Sequence, residues 1–221
     1  MAVSIGTRLK RSLIRLGVGM MPYFPLPAEW YRKILVGDSE KRYATGRWAY
    51  MRDIAESHRY SLIIGCADYY KSPNRKVLDV GCGEGILQQR MVYLKYTGMD
   101  MNAEAIRLAQ ARADANTEFF LAAAESYQAN DLYDVIVFNE SLYYIKDPMV
   151  VFAKYRALLA NDGIIIVCMF QTNLARRLWS HMADTGMAEL TESRISNELG
   201  FASVVKVYSE NTLEALPPGQ R

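Results

Sequence analysis

The chain has 221 residues, 51% of them apolar, enough to bury a full core in one domain with modest additions. Its net charge of +2 offers no global field for nucleic acid or a membrane. Three widely spaced cysteines, Cys66, Cys82 and Cys168, form no Cys-x-x-Cys pair, which argues against a disulfide framework or a zinc site and for a reducing, cytoplasmic compartment.

No apolar run approaches the roughly 20 residues that span a bilayer. Near the start, Arg8, Lys10, Arg11 and Arg15 interleave with Leu9, Leu13, Ile14, Leu16 and Val18, a basic amphipathic pattern. It predicts a helix over residues 1–21 packed on its own domain. Weak contact with a membrane surface, or with a partner, is the alternative. No small-residue cleavage site follows the apolar positions, so a signal peptide is not expected. Pro22, Pro25 and Pro27 predict an extended connector.

Residues 28–70 are dense in aromatics, among them Trp30, Tyr31, Tyr43, Trp48, Tyr50, Tyr60, Tyr69 and Tyr70. Helical spacing from Trp48 to Ile54 and from Tyr60 to Tyr70 predicts two or three helices, with most rings in the core and a few walling a pocket. The chain then divides into an N-terminal helical extension or lid (1–71), a sheet domain (72–210) and a short tail (211–221).

From Arg75 onward strand and helix alternate. Strands are predicted at Val77–Val80, Tyr96–Asp100, Glu118–Leu121, Tyr133–Phe138 and Ile164–Phe170, the last preceded by an Asn161-Asp162-Gly163 turn. Helices are predicted at Ile86–Leu94 and from an Asn102 cap through Ala113, with Ile106, Ala109 and Ala113 on one face. A weak helical segment follows the third strand. Another helix starts at Asp147-Pro148, with Val151, Tyr155 and Leu158 inward. This order predicts an α/β fold with a doubly wound, mostly parallel sheet. Phe201–Tyr208 reads as a final strand, in a hairpin with Leu190–Ser196 turning at Asn197–Gly200.

Residues 76–85 read Lys-Val-Leu-Asp-Val-Gly-Cys-Gly-Glu-Gly, a buried strand running into a glycine-rich turn. Gly81, Gly83 and Gly85 remove Cβ atoms where backbone must turn and approach a ligand. The turn is predicted to feed a helix N-terminus that favours an electron-rich group. Asp100 closes the second strand, and a carboxylate offers the acceptors that a ribose diol needs. The dinucleotide fingerprint requires a third small residue where Ile86 stands, so that reading fails. Asp79, just ahead of the loop, repels a pyrophosphate and suits a cation. S-adenosylmethionine carries a sulfonium and an ammonium.

Val77-Leu78-Asp79-Val80-Gly81-Cys82-Gly83-Glu84-Gly85 resembles the first motif of class I S-adenosylmethionine-dependent methyltransferases. Met99-Asp100-Met101-Asn102 resembles their second motif, Tyr133 to Tyr144 the fourth-strand motif, and Leu158–Val167 the fifth. The likeness covers roughly residues 72–170. It implies a Rossmann-like, seven-stranded sheet with one antiparallel strand and S-adenosyl-L-methionine as cofactor. It further implies that Asp79 and the Gly81-Cys82-Gly83 backbone hold the methionyl group, Asp100 the ribose, and Met101 the adenine face. Relatives place an Asp after strand three to read the adenine amino group. Here the stretch is Ala122-Ala123-Ala124-Glu125, so that contact is either missing or passes to Glu125, and Ala124 and Glu125 are the candidate cofactor residues at this place. Asn139 joins the cofactor set at the end of strand four.

A hydroxyl acceptor generally needs a group to take its proton, whereas a neutral amine does not. The only histidines are His58 and His181, and neither lies in a motif. Glu140 is the candidate catalytic carboxylate, at the carboxyl edge after strand four, accompanied by Tyr143 and Tyr144. The alternative is that Glu140 caps a turn and the tyrosines are pocket wall. No carboxylate and histidine cluster has metal-ligand spacing, so no metal is expected. Nucleic acid is disfavoured as substrate, because Asn139-Glu140-Ser141-Leu142 stands where base-modifying amino methyltransferases have Asn-Pro-Pro-Tyr.

The sequence therefore predicts methyl transfer to a nitrogen or oxygen of a small molecule or a saccharide-containing intermediate. A more distant likeness is to small bacterial sugar and natural-product methyltransferases, including nodulation-type N-methyltransferases. The alternatives are a catalytically silent scaffold, or a methyltransferase acting on protein or RNA. Oligomeric state is not legible.

Overall fold

The computed structural model describes residues 43, 45, 46, 48–196 and 202–211. The expected 1–21 helix, the proline connector, the turn at 197–200 and the end of the chain from 212 lie outside these residues.

Seven strands form one sheet: β1 (Lys76–Val80), β2 (Lys95–Asp100), β3 (Thr117–Leu121), β4 (Tyr133–Asn139), β5 (Leu159–Phe170), β6 (Ala188–Ser196) and β7 (Ala202–Ser209). Their order is β3-β2-β1-β4-β5-β7-β6. β1 to β5 pair parallel. β7 runs antiparallel between β5 and β6, so the C-terminal hairpin is present as expected.

Among the described residues, four helices cover the sheet: α1 (Ile54–Tyr70), α2 (Ala103–Gln110), α3 (Pro148–Arg156) and α4 (Asn173–Ala183). Alternate residues of each central strand point to opposite faces. Val77, Val135, Val137, Ile164, Ile166 and Val205 pack with Tyr60, Ile63 and Ala67 of α1 and Ile106 and Ala109 of α2. Leu78, Val80, Ile136, Phe138, Ile165 and Val167 pack with Phe152 and Tyr155 of α3 and Leu178 and Met182 of α4. Two buried faces explain why β1, β4 and β5 read as unbroken apolar runs. They also make α1 part of the core layer.

Several local expectations are corrected. The segment expected as a helix at 86–94 holds only a 3-10 turn at Gln88–Arg90. Nine residues must both leave the glycine loop and return, and Leu94 already donates its N–H to the Arg75 carbonyl at 2.8 Å, beside the start of β2. The glycine loop therefore does not run into a helix N-terminus. α2 is capped by Asn102, whose side chain accepts from the Ala105 N–H at 2.9 Å, but it ends at Gln110 and leaves Ala113 exposed. The weak helix after β3 is absent from the described chain. Lys154 takes the carbonyls of Ala124, Glu125 and Tyr127 that a helix would have used.

Pro148 occupies the first turn of α3, although Asp147 makes no side-chain cap. Asn161-Asp162-Gly163 lies within β5 as a bulge. Between Tyr133↔Leu159 and Val135↔Ile164, β5 advances five residues while β4 advances two, and Asp162 takes φ 59°. Ile54 and Tyr69, expected on the packed face of the helical region, are largely exposed.

Candidate active site

The connections from β1 and β4 diverge at the point where strand order reverses, which opens a crevice at their carboxyl ends. The glycine loop forms one wall, and the Asn139–Tyr144 segment forms the other. The Ser141 hydroxyl donates to the Val80 carbonyl at 2.5 Å and stitches the two walls together. Gly81 permits this approach: it takes φ +80°, and a Cβ there would lie 2.5 Å from the Ser141 Cβ.

Asp79 is buried beneath the loop. Its Oδ2 accepts from the Tyr96 hydroxyl at 2.5 Å, and its Oδ1 has no hydrogen-bond partner. Burial pushes this carboxyl up to about 7, against the lowering effect of Tyr96 and with a further rise from the Asp100 charge. Across the loop, Asp100 Oδ2 accepts from the Gly83 N–H at 3.0 Å and Oδ1 from the Asn102 N–H at 2.9 Å. Burial raises Asp100, and the amides of Asn102, Gly83 and Met101 oppose that rise. An ionised carboxylate accepts at both oxygens, the chemistry that a diol's two hydroxyls require.

Cys82 is buried, and burial together with the charges of Asp79 and Asp100 raises its thiol well above the usual range. It therefore stands as a neutral thiol. Met101 follows Asp100 and is 60% exposed, an uncovered apolar side chain at the crevice edge. On the loop after β3, the Ala124 carbonyl accepts from the Tyr155 hydroxyl at 3.2 Å. Glu125 accepts from the Lys146 N–H at 3.3 Å, which links that loop to the one after β4.

Asn139 ends β4 with a buried Oδ1 that has no partner. Glu140 follows in the left-handed region at φ 57°, held by its N–H to the Cys168 carbonyl at 2.9 Å. Non-glycine residues rarely adopt this conformation, and it turns the side chain back over the sheet edge. Tyr143 donates its hydroxyl to Glu140 Oε2, and the Cys168 thiol donates to Oε1 at 3.7 Å. Tyr144 packs edge-on against the Tyr143 ring at 4.5 Å between centroids. Burial raises Glu140; Arg59, the Tyr143 hydroxyl and the Phe170 amide lower it, and Glu56 raises it.

The structure thus gathers Asp79, Gly81, Cys82, Gly83 and Asp100 on one side and Asn139, Glu140, Tyr143 and Tyr144 on the other. His181 is exposed on α4, and His58 is half-buried on α1. Among the described residues, no three His, Cys, Asp or Glu side chains come together as a metal site. No described helix is long and apolar enough to cross a membrane.

Sequence reasoning missed three residues. The Tyr43 hydroxyl lies over the glycine loop, 2.8 Å from where a Gly83 Cβ would stand, and both burial and the Asp100 charge push it up. Arg52 binds Glu84 of the loop through two hydrogen bonds, of 2.7 and 2.6 Å. Arg59 is buried on α1, three residues after Glu56. A charged pair at helical spacing beside the aromatic Tyr60 was the available signal.

An unpartnered buried carboxylate oxygen suits an ammonium, the Asp100 carboxylate suits a ribose, and the Cβ-free loop suits a closely approaching ligand. The comparisons agree. The sequence model of a family described as a methyltransferase domain matches residues 71–205. A ubiquinone biosynthesis O-methyltransferase from Actinobacillus pleuropneumoniae is 32% identical over 49% of this chain and 49% of its own length. The chain thus spans about half the length of the curated relatives it matches. The N-methyltransferase NodS from Bradyrhizobium japonicum, solved with S-adenosylhomocysteine, aligns with a TM-score of 0.62 at 17% identity, over 73% of this chain and 90% of that one. The 1,6-didemethyltoxoflavin-N1-methyltransferase of Burkholderia thailandensis, solved with bound 1,6-didemethyltoxoflavin and S-adenosylhomocysteine, aligns with a TM-score of 0.66 at 17% identity, over 84% of this chain and 92% of that one. At these identities the two structures speak for the fold. The chain belongs to the methyltransferase-domain family, within the class I S-adenosylmethionine-dependent methyltransferases.

Proposed function

We propose that this chain methylates a nitrogen or oxygen atom of a small molecule or saccharide-containing intermediate. When bound, S-adenosylmethionine supplies an electrophilic methyl group on a sulfonium. Asp79 would hold the ammonium and Asp100 the ribose hydroxyls, with the Gly81–Gly83 backbone along the methionyl chain. Met101 would cover the adenine face, Ala124 and Glu125 would line its edge, and Asn139 would complete the pocket.

The remaining task is to align the acceptor and accept its proton. Alignment alone can be worth about 7–11 kcal/mol of barrier. Glu140 carries this part of the reading. It is a carboxylate at the crevice, raised by burial toward the range where a general base works, and oriented by Tyr143. Tyr143 and Tyr144 would form the acceptor wall. α1 is a fixed wall on the same side, and the segment before it would close over the acceptor. The O-methyltransferase relatives and the N-methyltransferase neighbours both support a small acceptor.

Calorimetric titration with S-adenosylmethionine and S-adenosylhomocysteine tests the cofactor half, with Asp100→Ala as control. Micromolar binding that the variant loses supports it. A folded wild-type chain that binds neither would point to a silent scaffold. Screening aliphatic amines, amino sugars and catechols as methyl acceptors, with and without Glu140→Gln, tests the other half.

A further inference from the structure

The amides of the glycine loop are largely spent inside the protein. The Gly81 and Cys82 N–H groups both go to the Met99 carbonyl, at 2.8 and 2.9 Å. The Gly83 N–H goes to Asp100 Oδ2 at 3.0 Å and the Gly85 N–H to the Cys82 carbonyl at 3.1 Å. The side-chain donors beside the loop are committed too: Tyr96 to Asp79, Ser141 to the Val80 carbonyl, and the Cys82 thiol to the Gly83 carbonyl. What faces a ligand is mostly acceptor: Oδ1 of Asp79, Oδ1 of Asn139 and the Asp100 carboxylate. Such a site serves the ammonium and the ribose of S-adenosylmethionine. It leaves the cofactor's carboxylate, which can only accept, in need of a donor.

The Tyr43 hydroxyl is uncommitted. It lies over the loop, 2.8 Å from where a Gly83 Cβ would stand, and among the described residues its hydrogen has no acceptor. Its place is held from both sides. The Gly46 N–H donates to the Tyr43 carbonyl at 3.0 Å, and the Tyr43 ring lies 6.1 Å from that of Trp48. Further along the same segment, Arg52 grips Glu84 of the loop through bonds of 2.7 and 2.6 Å. Gly83, at φ +55° and without a Cβ, leaves the hydroxyl room. Burial and the Asp100 charge hold the phenol far above its ordinary range, so it stays a donor at any working pH.

We propose that Tyr43 binds the carboxylate of the cofactor's methionyl group by donating its hydroxyl hydrogen over Gly83. The inference rests on the cofactor placement proposed above, with the ammonium on Asp79. It makes the segment ahead of α1, expected to serve only as a lid over the acceptor, part of the cofactor site.

Calorimetric titration of the full chain with S-adenosylmethionine and with decarboxylated S-adenosylmethionine, which keeps the ammonium, sulfonium and ribose, reads the contact directly. A hydrogen bond to a charged group is worth enough that the wild type should prefer the intact cofactor by about tenfold or more. Tyr43→Phe keeps the ring and should weaken S-adenosylmethionine about tenfold, while leaving the decarboxylated ligand within about twofold of the wild type. A merely structural role for Tyr43 would weaken both ligands alike and would overturn the proposal. Equal affinity of the wild type for the two ligands would overturn it without any variant. Hydrogen exchange gives a second reading on the wild type: the intact cofactor should protect residues 48–53 more than the decarboxylated one does, and equal protection counts against the proposal. A folded wild-type chain that binds neither ligand sinks the cofactor placement and this proposal with it. Tight binding of S-adenosylmethionine with its preference unchanged in Tyr43→Phe sinks this proposal alone.

Discussion

Tyr96 donates a hydrogen bond to Oδ2 of Asp79 at 2.5 Å and leaves Oδ1 of the same buried carboxylate without a partner. The free chain therefore carries an unfavourable charge that a cationic ligand would relieve. Burial raises the Asp79 carboxyl from 3.8 to about 7 in the folded state. A group raised in this way favours folding at pH below its unfolded value, and that contribution is lost as pH rises through about 7. One pK unit is worth about 1.4 kcal/mol, so the loss is on the order of 4 kcal/mol by pH 8. Asp79→Asn keeps an acceptor for Tyr96 and removes the charge. It should raise the melting temperature at pH 8, have little effect at pH 4, and weaken cofactor binding at least tenfold. A variant that melts earlier at pH 8 would contradict this account of Asp79.

The same carboxyl predicts the pH dependence of cofactor affinity. A bound ammonium requires Asp79 ionised, so below about 7 each binding event must expel a proton. Affinity for S-adenosylhomocysteine should be level above pH 8 and fall toward tenfold per unit below pH 6.5 or so. Calorimetry in buffers of different ionisation enthalpy should count close to one proton released per site near pH 6. Zero release, with affinity flat from pH 5 to 8, would place the ammonium elsewhere.

How much of this was legible depends on the range of the interaction. β1, β4 and β5 stood out because two covered faces demand continuous apolar runs, and the Asn102 cap because its bond to the Ala105 amide is local. The 86–94 segment misled because Ile86, Leu87 and Met91 do pack inward, yet too few residues were available to make a helix and return. Asp79, Asp100 and the glycines carry a compact local signature. Tyr43 over Gly83 and Arg52 on Glu84 do not, since both depend on where the segment before the sheet docks. Residues 40 or 32 positions apart cannot be paired by periodicity.

Two glycines should fail differently when given a side chain. Gly81 takes φ +80°, and a Cβ would lie 2.5 Å from the Ser141 Cβ, so Gly81→Ala combines backbone strain with a collision. A positive φ alone costs about 1–2 kcal/mol for alanine, and Gly81→Ala should lose more than that together with cofactor binding. Adding Ser141→Gly removes the collision and should recover only part of the stability. At Gly98 the backbone is ordinary β, and the obstacle is the Phe119 ring at 2.5 Å with the Cys82 sulfur at 3.0 Å. Gly98→Ala with Phe119→Leu should therefore recover most of it. Denaturant midpoints for the four variants decide the matter, and equal recovery in both pairs would show that φ strain at Gly81 is unimportant.

The Arg52–Glu84 clamp ties the segment ahead of α1 to the glycine loop, and its two partners should respond unequally. The Arg52 side chain is 48% exposed and that of Glu84 only 6%. Solvent screening and side-chain entropy hold the worth of a half-exposed pair to about 1 kcal/mol or less, so Arg52→Ala should barely move the melting temperature. Glu84 also faces Arg112, whose Nη1 lies 3.6 Å from Oε2 and donates to the Glu84 carbonyl at 2.9 Å. Glu84→Ala strips a carboxylate from between two guanidinium groups and should lose about 1–3 kcal/mol. Hydrogen exchange separates local from global effects. Arg52→Ala should speed exchange at residues 48–53 and slightly at 83–85, with the β1 and β4 amides unchanged. Protection lost across β1 and β4 in that variant would mean that the clamp supports the whole sheet edge rather than the docking of one segment.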